Sequence, residues 1–237
     1  MANGYPINDA ASAYDPLDPY ADRDPRLLEY IVVNGSQLGS SAIQTETGSG
    51  DDAIDNLPTS TRTGYYMRKL LRNDVNVNPV SEQQALHYVP RIRYTEIFLI
   101  YAEAANEAWG PDGTGTVASY TARDVIAAIR NRARASAGIT DEYISTVSSQ
   151  EEMRELIRNE RRLELCFEGF RFWDLRRWSV PSSPLEELNE PAMGVRITND
   201  QYEIISVENR LYQDHMIYGP LPYNDVVKAG LIQNNGW

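Results

Sequence analysis

ERRLELCFEGFRFWDLRRW, residues 160–178, mixes acidic side chains and arginines with large apolar ones, and it decides the fold of this chain. Within it, Glu160, Glu164 and Glu168 are spaced four residues apart, so a helix would carry all three on one face. The helical period of the preceding residues places that face on or beside an apolar stripe, where side chains are buried. These carboxylates therefore either perform chemistry or hold the interior together through ion pairs.

The catalytic interpretation is a pair of carboxylates acting as the acid and base of a glycosidase. Such carboxylates face each other across a cleft and come from different elements, whereas these three lie along one helix. In addition, Arg158, Arg161 and Arg162 would keep the acids ionised, which disfavours a general acid. The spacing and the neighbouring arginines thus argue against catalysis in this stretch.

The structural interpretation is an internal brace of ion pairs. A glutamate on an apolar stripe is costly unless it is paired, and the planar guanidinium of arginine is the best partner for a buried carboxylate. We therefore expect the run to brace the core, and we expect Glu164→Ala to destabilise the fold without changing ligand affinity per folded molecule. The arginines available as partners from the preceding helices are Arg91, Arg93, Arg130, Arg132 and Arg134.

Three helices with short connections are predicted in the middle of the chain. In the first, over residues 90–110, apolar positions spread widely around the helix, so we expect it to be buried on two sides. Thr121 with Asp124, and Ser149 with Glu152, form capping boxes that open the second and third helices. Successive helices of this kind resemble stacked helical hairpins. The predicted fold is mainly α, a TPR-like scaffold with irregular loops and short β-hairpins.

The segments on either side of these helices are richer in turns. A short hairpin is predicted over residues 28–38, around an Asn34-Gly35 turn, and a second one over 194–205, around Asn199-Asp200. One domain is therefore expected to comprise a loop-rich portion, a helical core, and a hairpin with a turn-rich tail. These portions are residues 1–80, 81–180 and 181–237.

Composition excludes several classes of function. The 237 residues carry a formal net charge of −12, which argues against nucleic acid as a partner because a phosphate backbone requires a basic face. Cys166 is the single cysteine, so the chain forms no internal disulfide and no multi-cysteine zinc site. Its apolar neighbours predict a buried thiol. The sequence has no apolar run long enough to span a bilayer.

Sequence motifs for catalysis or cofactor binding are also missing. The chain has no GxSxG motif, no Walker loop and no GxGxxG after a strand, and its two histidines do not stand in a metal-ligand spacing. We therefore predict no catalytic residue, no metal site and no cofactor. Calcium binding by the first loop is an open alternative, although a solvated acidic loop is favoured because the EF-hand spacing is lacking. The aspartates concerned are Asp15, Asp18, Asp22 and Asp24.

The brace sequence resembles the signature of the SusD/RagB family, the outer-membrane nutrient-binding lipoproteins of Bacteroidetes-type bacteria. Four further segments resemble family elements in the same order along the chain. Asn235 and Phe170 depart from the family pattern, which affects packing detail. The four segments are the proline-rich loop NGYPIND…YDPLDPYADRDPRL, the aromatic turn TGYYMRKL, the buried helix RIRYTEIFLIYAEAANEA and the ending GPLPYNDVVKAGLIQNNGW.

The resemblance implies properties that the residues alone do not show. Family members are longer, and this chain matches their C-terminal half, so the leader, the lipidated cysteine and most of the helical scaffold would lie in the other half. The implied function is non-catalytic, cell-surface binding of an oligosaccharide or polysaccharide for uptake through a SusC-like TonB-dependent transporter. The implied location is the outer membrane, through a lipid anchor expected outside this chain. The alternative is a helical-repeat module that binds a protein or peptide.

Ligand-binding residues do not follow from the family motifs, so the candidates are derived from chemistry. Aromatic rings stack on the apolar faces of sugars, planar polar side chains hold the hydroxyls, and loops on a rigid scaffold carry such sites. For each tyrosine, packing against its own loop is the commoner role. Trp173 and Trp178 are expected in the core. The candidates are Tyr5, Tyr14, Tyr20, Asn3 and Asp15 in the first loop, and Trp109 at a helix end beside glycines.

Overall fold

The computed structural model describes residues 1–39, 41–76, 79–116, 118–179 and 184–237. The predicted boundary between residues 180 and 181 lies outside this part of the chain, so the division into three portions stays a prediction. Six α-helices are described: α1 (Arg26–Tyr30), α2 (Tyr94–Trp109), α3 (Ala122–Arg134), α4 (Gln150–Glu164), α5 (Phe170–Trp178) and α6 (Tyr223–Ala229). None of them combines the length and the apolar character that crossing a membrane would require.

Helices α2, α3 and α4 pack around one apolar core, which confirms the predicted mainly helical scaffold. Each helix contributes side chains that are fully buried, because its apolar stripe faces the other two. They include Leu99 and Ala102 from α2, Ile126 from α3, and Met153 and Ile157 from α4.

Both predicted capping boxes form, and they fix where α3 and α4 begin. Ser149 Oγ accepts the N–H of Glu152 at 3.1 Å, and the Glu152 carboxylate accepts the N–H of Ser149 at 2.9 Å. The pair Thr121 and Asp124 makes the same reciprocal bonds at 3.0 and 2.9 Å. These bonds satisfy N–H groups that the first turn of a helix leaves unpaired.

The charged run 160–178 does not continue as a single helix. Helix α4 ends at Glu164, and positive φ angles at Phe167 (63°) and Gly169 (87°) turn the chain before α5 begins. A left-handed conformation costs a bulky residue about 1–2 kcal/mol, so other contacts must stabilise this turn. The expectation that Glu168 shares the helix face was therefore wrong, because Glu168 lies in the turn.

Helix α2 is buried on one side, whereas burial on two sides was expected. Its side chains Tyr94, Ile97, Phe98 and Ile100 are exposed. The wide apolar distribution was interpreted correctly, but the second apolar face is not covered by another element of the described part of the chain.

The strands of the described residues form three two-stranded antiparallel sheets. The hairpin predicted over residues 28–38 was wrong, because residues 26–30 are helical and the following strand pairs with a distant one. The hairpin around Asn199-Asp200 is confirmed, with both turn residues at positive φ. The pairs are β1 (Ile31–Val32) with β4 (Tyr66–Met67), β2 (Gln37–Leu38) with β3 (Ser41–Ala42), and β5 (Ala192–Thr198) with β6 (Gln201–Glu208).

Two aromatic residues after the brace do not lie where the sequence predicts. Trp173 is 64% exposed and packs edge-on against Phe172, so its assignment to the core was wrong. Trp178 is half-buried, with its Nε1–H donating to Glu103 Oε1 at 2.7 Å. Cys166 is half-buried rather than buried, and this partial burial raises the pKa of its thiol.

Candidate functional site

The ion-pair brace forms in the interior, with Arg26 at its centre. Glu160 and Glu164 are both 0% exposed. Arg26 Nη1 lies 2.5 Å from Glu160 Oε1 and 3.0 Å from Glu164 Oε2, so one guanidinium bridges the two carboxylates. Arg130 adds a second contact to Glu160 at 3.4 Å.

The remaining carboxylate oxygens of the brace are paired as well. Glu164 Oε1 accepts from Arg132 at 2.6 Å and from Arg93 at 3.2 Å. Glu168, in the turn after α4, accepts from Arg93 Nε at 2.7 Å and from Lys69 Nζ at 2.6 Å. These ion pairs stabilise the turn that interrupts the charged run.

The predicted partners are confirmed in part. Arg93, Arg130 and Arg132 bind the brace glutamates as expected, whereas Arg134 pairs with aspartates and Arg91 forms no ion pair within the described residues. The idea that arginines of α4 itself hold these acids was wrong. Of those, Arg158 pairs with Glu155 and Arg161 with Asp174.

Because arginines contact the carboxylates of the brace, these carboxylates are unsuited to act as a catalytic acid. Burial alone would raise the pKa of Glu164, but hydrogen bonds and charges from Arg132 and Arg26 outweigh it and lower that pKa. Burial also raises the pKa of Glu168, but hydrogen bonds and charges from Arg93 and Lys69 outweigh it and lower that pKa. Both groups therefore stay ionised at neutral pH, which suits ion pairing and disfavours proton donation.

Acid should weaken the fold through Asp24, a further carboxylate held by arginines. Burial raises the pKa of Asp24, but hydrogen bonds from Arg26 and the charges of Arg26 and Arg134 outweigh it and lower the pKa from 3.8 to about 2. A lowered folded pKa stabilises the fold above the unfolded pKa, and this contribution is lost as pH falls through the folded value. Asp24 alone should contribute about 2 kcal/mol, lost between about pH 4 and pH 2.

Urea unfolding between about pH 5 and pH 2 measures this loss. The Asp24→Asn variant is the control, since it should be less stable at neutral pH and should show a shallower decline in acid. Equal slopes for the two proteins would contradict the assignment to Asp24.

Two buried arginines of α3 fix the start of the N-terminal loop, which we define as residues 1–25. Arg134 Nε donates to the carbonyl of Ala2 at 2.8 Å, and Arg130 Nη2 donates to the carbonyl of Gly4 at 3.0 Å. Both arginines are buried, so the loop backbone satisfies polar groups of the interior.

The end of the N-terminal loop is fixed by Arg26 and, again, by Arg134. Asp24 lies 2.9 Å from Arg26 and 3.1 Å from Arg134. In addition, the N–H of Ala2 donates to the carbonyl of Asp22 at 2.7 Å, which ties the two ends of the loop together. The residues between them are thus presented at the surface on a rigid base.

Short-range turns shape the middle of the loop. Asn3 Nδ2 donates to the carbonyl of Ala11 at 2.9 Å, and Asp15 Oδ1 accepts the N–H of Leu17 at 2.8 Å. These bonds give two predicted ligand residues, Asn3 and Asp15, a role in loop geometry. Whether either also binds a ligand stays a prediction.

The tyrosines of the loop have different surroundings. Tyr5 packs against Tyr143, with ring centroids 5.3 Å apart, and the Tyr14 ring lies 5.9 Å from the guanidinium of Arg23. Tyr20 instead packs against the rings of Tyr65 and Tyr202, which belong to other segments. We call these three residues the tyrosine cluster.

The tyrosine cluster brings together the loop, the turn before β4 and the strand β6. Tyr20 lies edge-on to both partners, with centroids 6.4 Å from Tyr65 and 5.8 Å from Tyr202. Tyr202 is 37% exposed, and the other two rings are half-buried. Burial, the hydroxyl of Tyr65 and nearby charge raise the pKa of Tyr20, so it stays a neutral hydroxyl at physiological pH.

Two glycines allow Tyr65 to reach this position. A Cβ atom on Gly64 would lie 2.1 Å from the carbonyl oxygen of Val195, and one on Gly194 would lie 2.7 Å from Thr63 Cα. The backbones therefore approach closely, and the Val195 N–H donates to the Thr63 carbonyl at 2.8 Å. This contact places Tyr65 beside the β5–β6 hairpin.

The structure thus unites Tyr20 with two tyrosines that sequence reasoning missed as ligand candidates. Tyr65 belongs to an aromatic pair after a glycine, and Tyr202 follows the Asn199-Asp200 turn, so each had a local signal but no indication of a shared location. Trp109 is half-exposed, and its ring packs over Gly115. Among the described residues, no contact joins Trp109 to the tyrosines.

A second surface feature is an apolar groove between α2 and α3, with a volume of about 1160 Å³. It is defined by the exposed face of α2 and the facing side of α3. Asp124 and Arg132 are its charged members. The main apolar lining residues are Tyr94, Ile97, Phe98, Tyr101, Tyr120 and Ile129.

The described residues form no cluster of metal-ligating side chains. Within the described ranges, no three histidine, cysteine or acidic side chains converge to hold an ion. Of the aspartates considered for calcium, Asp24 is engaged by arginines and Asp15 accepts a backbone N–H.

Comparison with known proteins gives consistent matches. The model of the SusD family matches residues 1–237. SusD-like protein P2 of Formosa agariphila is 38% identical over 96 residues, and SusD-like protein P38 of the same organism is 27% identical over 143 residues. These alignments cover 40% and 60% of this chain, and 17% and 23% of the two relatives.

A solved structure is similar over most of the chain. It is the crystal structure of a SusD-like carbohydrate-binding protein from Bacteroides fragilis, with 25% sequence identity and a TM-score of 0.63. The superposition covers 90% of this chain and 41% of that protein. This chain thus spans less than half of the solved protein and about a quarter or less of the curated relatives.

Proposed function

The chain belongs to the SusD family, and on that basis we propose that it binds a glycan without cleaving it. The observation that carries this proposal is the tyrosine cluster, in which rings from three separate segments converge at the surface. Tyrosine combines an apolar ring face with a hydroxyl, which suits the alternating apolar faces and hydroxyls of a sugar. The N-terminal loop, fixed at both ends, would hold the Tyr20 ring in place before the sugar arrives.

The comparisons support carbohydrate as the class of ligand. The similar protein from Bacteroides fragilis is described as carbohydrate-binding, and its similarity extends over nine-tenths of this chain. The absence of catalysis is part of the proposal. It is supported by the brace, whose glutamates are engaged by arginines in the interior and are not available to a substrate.

A partner and a location follow as further parts of the proposal. We infer that the bound oligosaccharide or polysaccharide is passed to a SusC-like TonB-dependent transporter at the bacterial outer membrane. The support is family membership. A pull-down from outer membranes that recovers no such transporter with the full-length protein would contradict this part.

Affinity electrophoresis tests glycan binding directly. The chain would be run through gels containing starch, xylan, mannan, pectin, fructan or mucin glycans, and released sugar would be assayed in parallel. We expect retardation in at least one gel with no soluble product. Released sugar would contradict the non-catalytic assignment, and free migration in every gel would contradict glycan binding by this chain.

The Tyr202→Ala variant should weaken binding to the retarding glycan by about tenfold, equivalent to about 1.4 kcal/mol, through loss of one stacking ring. Tyr202 is the most exposed ring of the cluster, so its removal should leave the core intact. Isothermal titration with the retarding glycan measures the change. The matched control is Tyr223→Ala, an exposed tyrosine on α6, which should bind like the parent chain. Equal losses of affinity for the two variants would mean that the tyrosine cluster is not part of the glycan-binding site.

The alternative function is binding of a protein or peptide, and the groove between α2 and α3 favours it. This surface is apolar, wide and bordered by charged residues, as are grooves that accept an amphipathic helix. Binding of a helical peptide that Phe98→Glu abolishes, together with unretarded migration in every glycan gel, would favour this alternative.

A further inference from the structure

The tyrosine cluster is flanked by carboxylates from three segments. Asp200 lies in the β5–β6 turn, two residues before Tyr202, and its N–H donates to Glu46 Oε1 at 3.4 Å. Asp18 lies two residues before Tyr20, in a turn where its carbonyl accepts the N–H of Ala21 at 3.2 Å.

The position of Glu46 is set by the hairpin. The N–H of Thr47 donates to the carbonyl of Ile197 at 2.9 Å, and Ile197 is the cross-strand partner of Tyr202. The loop that carries Glu46 is therefore fastened beside the strand pair that carries the Tyr202 ring.

These negative charges act on the cluster. Burial raises the pKa of Tyr202, and the charges of Asp18, Asp200 and Glu46 raise it further. A negative group brought onto this ring would be repelled by these carboxylates. At moderate salt, screening becomes strong only beyond about 8–10 Å, so the repulsion acts at this range.

Arg23 and Arg196 are basic groups near the cluster. Arg23 donates to the carbonyl of Pro19 at 2.8 Å and lies over the Tyr14 ring, and its charge opposes the rise in the pKa of Tyr20, so it offsets part of the negative charge. Arg196 is paired across the hairpin with Glu203. Because neighbouring residues of a strand point to opposite faces, this pair lies on the other face of the hairpin from Tyr202.

We propose that the tyrosine cluster selects neutral glycans and rejects polyanionic ones, with Asp18, Glu46 and Asp200 as the residues that determine this specificity. The inference rests on the proposed glycan-binding function and adds the class of sugar. Uronic-acid and sulfated polysaccharides are excluded because each bound residue would bring an anion against the three carboxylates.

The test uses matched derivatives of the neutral glycan that retards the chain. Its hydroxyethyl and carboxymethyl forms carry substituents of similar size, but only the second is anionic. By isothermal titration at about 20 mM salt, the carboxymethyl form should bind at least about tenfold more weakly. The ratio of the two affinities, hydroxyethyl over carboxymethyl, should shrink at about 0.5 M salt, where screening is nearly complete.

The triple variant Asp18→Asn, Glu46→Gln, Asp200→Asn should reduce the ratio to about threefold or less. Asparagine tolerates the left-handed conformation of residue 200, and glutamine keeps an acceptor at residue 46. The control triple variant, Glu151→Gln, Glu155→Gln, Asp225→Asn, changes the net charge equally through α4 and α6 and should leave the ratio as it is in the parent chain.

The outcomes separate the inference from the function on which it rests. Equal or tighter binding of the carboxymethyl form, or equal effects of the two triple variants, overturns the specificity while glycan binding stands. If neither derivative binds and no parent glycan binds, both the specificity and the proposed glycan-binding function are overturned.

Discussion

The Glu164→Ala variant should lower the free energy of unfolding by about 3–5 kcal/mol, the cost of breaking a buried ion pair from one side. Glu164 is fully buried and joins Arg26, Arg93 and Arg132 from three separate segments. Without its carboxylate, Arg26 keeps Glu160 and Asp24, but the interior holds an uncompensated excess of positive charge. The melting temperature should fall by about 6 °C or more.

The Glu155→Ala variant is the matched control for this change. Glu155 lies on the same helix and also pairs with an arginine, but its side chain is exposed, so its loss should cost less than about 1 kcal/mol. Denaturant unfolding followed by circular dichroism measures both variants. A Glu164→Ala melting temperature equal to that of the parent chain would refute the brace.

The Asp174→Ala variant should be destabilised by a similar amount, about 3–5 kcal/mol. Asp174 binds Arg161 through two hydrogen bonds, at 2.9 and 3.0 Å, and both side chains are buried. Nη1 of this arginine already has no hydrogen-bond partner among the residues that the structure describes. Removal of Asp174 would therefore leave a buried guanidinium without its counter-ion, which is the costly half of a broken pair.

The Asp112→Ala variant separates burial from pairing. Asp112 binds Arg123 through two hydrogen bonds, as Asp174 binds Arg161, but the Asp112 side chain is 64% exposed. Asp174 accepts one further hydrogen bond, from Arg177 at 2.8 Å. Because the Asp112 pair is surrounded by water, we expect a loss below about 1 kcal/mol. Comparable losses for Asp112→Ala and Asp174→Ala would mean that burial does not determine the strength of these pairs.

Features encoded by neighbouring residues could be predicted from the sequence. The capping box of Ser149 and Glu152 spans four residues, and the Asn199-Asp200 turn spans two, so each is specified without reference to the rest of the fold. Both occur as predicted. The burial of Glu160 and Glu164 followed in the same way, from the helical period alone.

Features that depend on distant partners could not be predicted in this way. Arg26 is 134 residues from Glu160 along the chain, and no local pattern marks it as the centre of the brace. Likewise, β1 pairs with β4 instead of continuing into a local hairpin, because Tyr66 and Met67 offer a partner strand that the short-range pattern does not reveal.

The same reason explains the errors at the candidate site and on α2. The tyrosine cluster joins Tyr20, Tyr65 and Tyr202 only because the hairpin packs against the turn at Gly64. On α2, the apolar period predicts a face that can be buried, but it does not show whether a neighbour covers it. Trp173 was misplaced similarly, since large apolar side chains are common on protein surfaces.

Because both of its ends are fixed, the N-terminal loop is suited to protein engineering. Arginines hold the loop at Ala2, Gly4 and Asp24, so its ends stay in place when exposed side chains between these anchors are changed. A combinatorial library confined to the exposed positions among residues 5–21 could vary ring type and polarity while the base stays constant, as hypervariable loops do on antibody frameworks. Selection on different glycans would then test whether the proposed binding can be redirected by this loop.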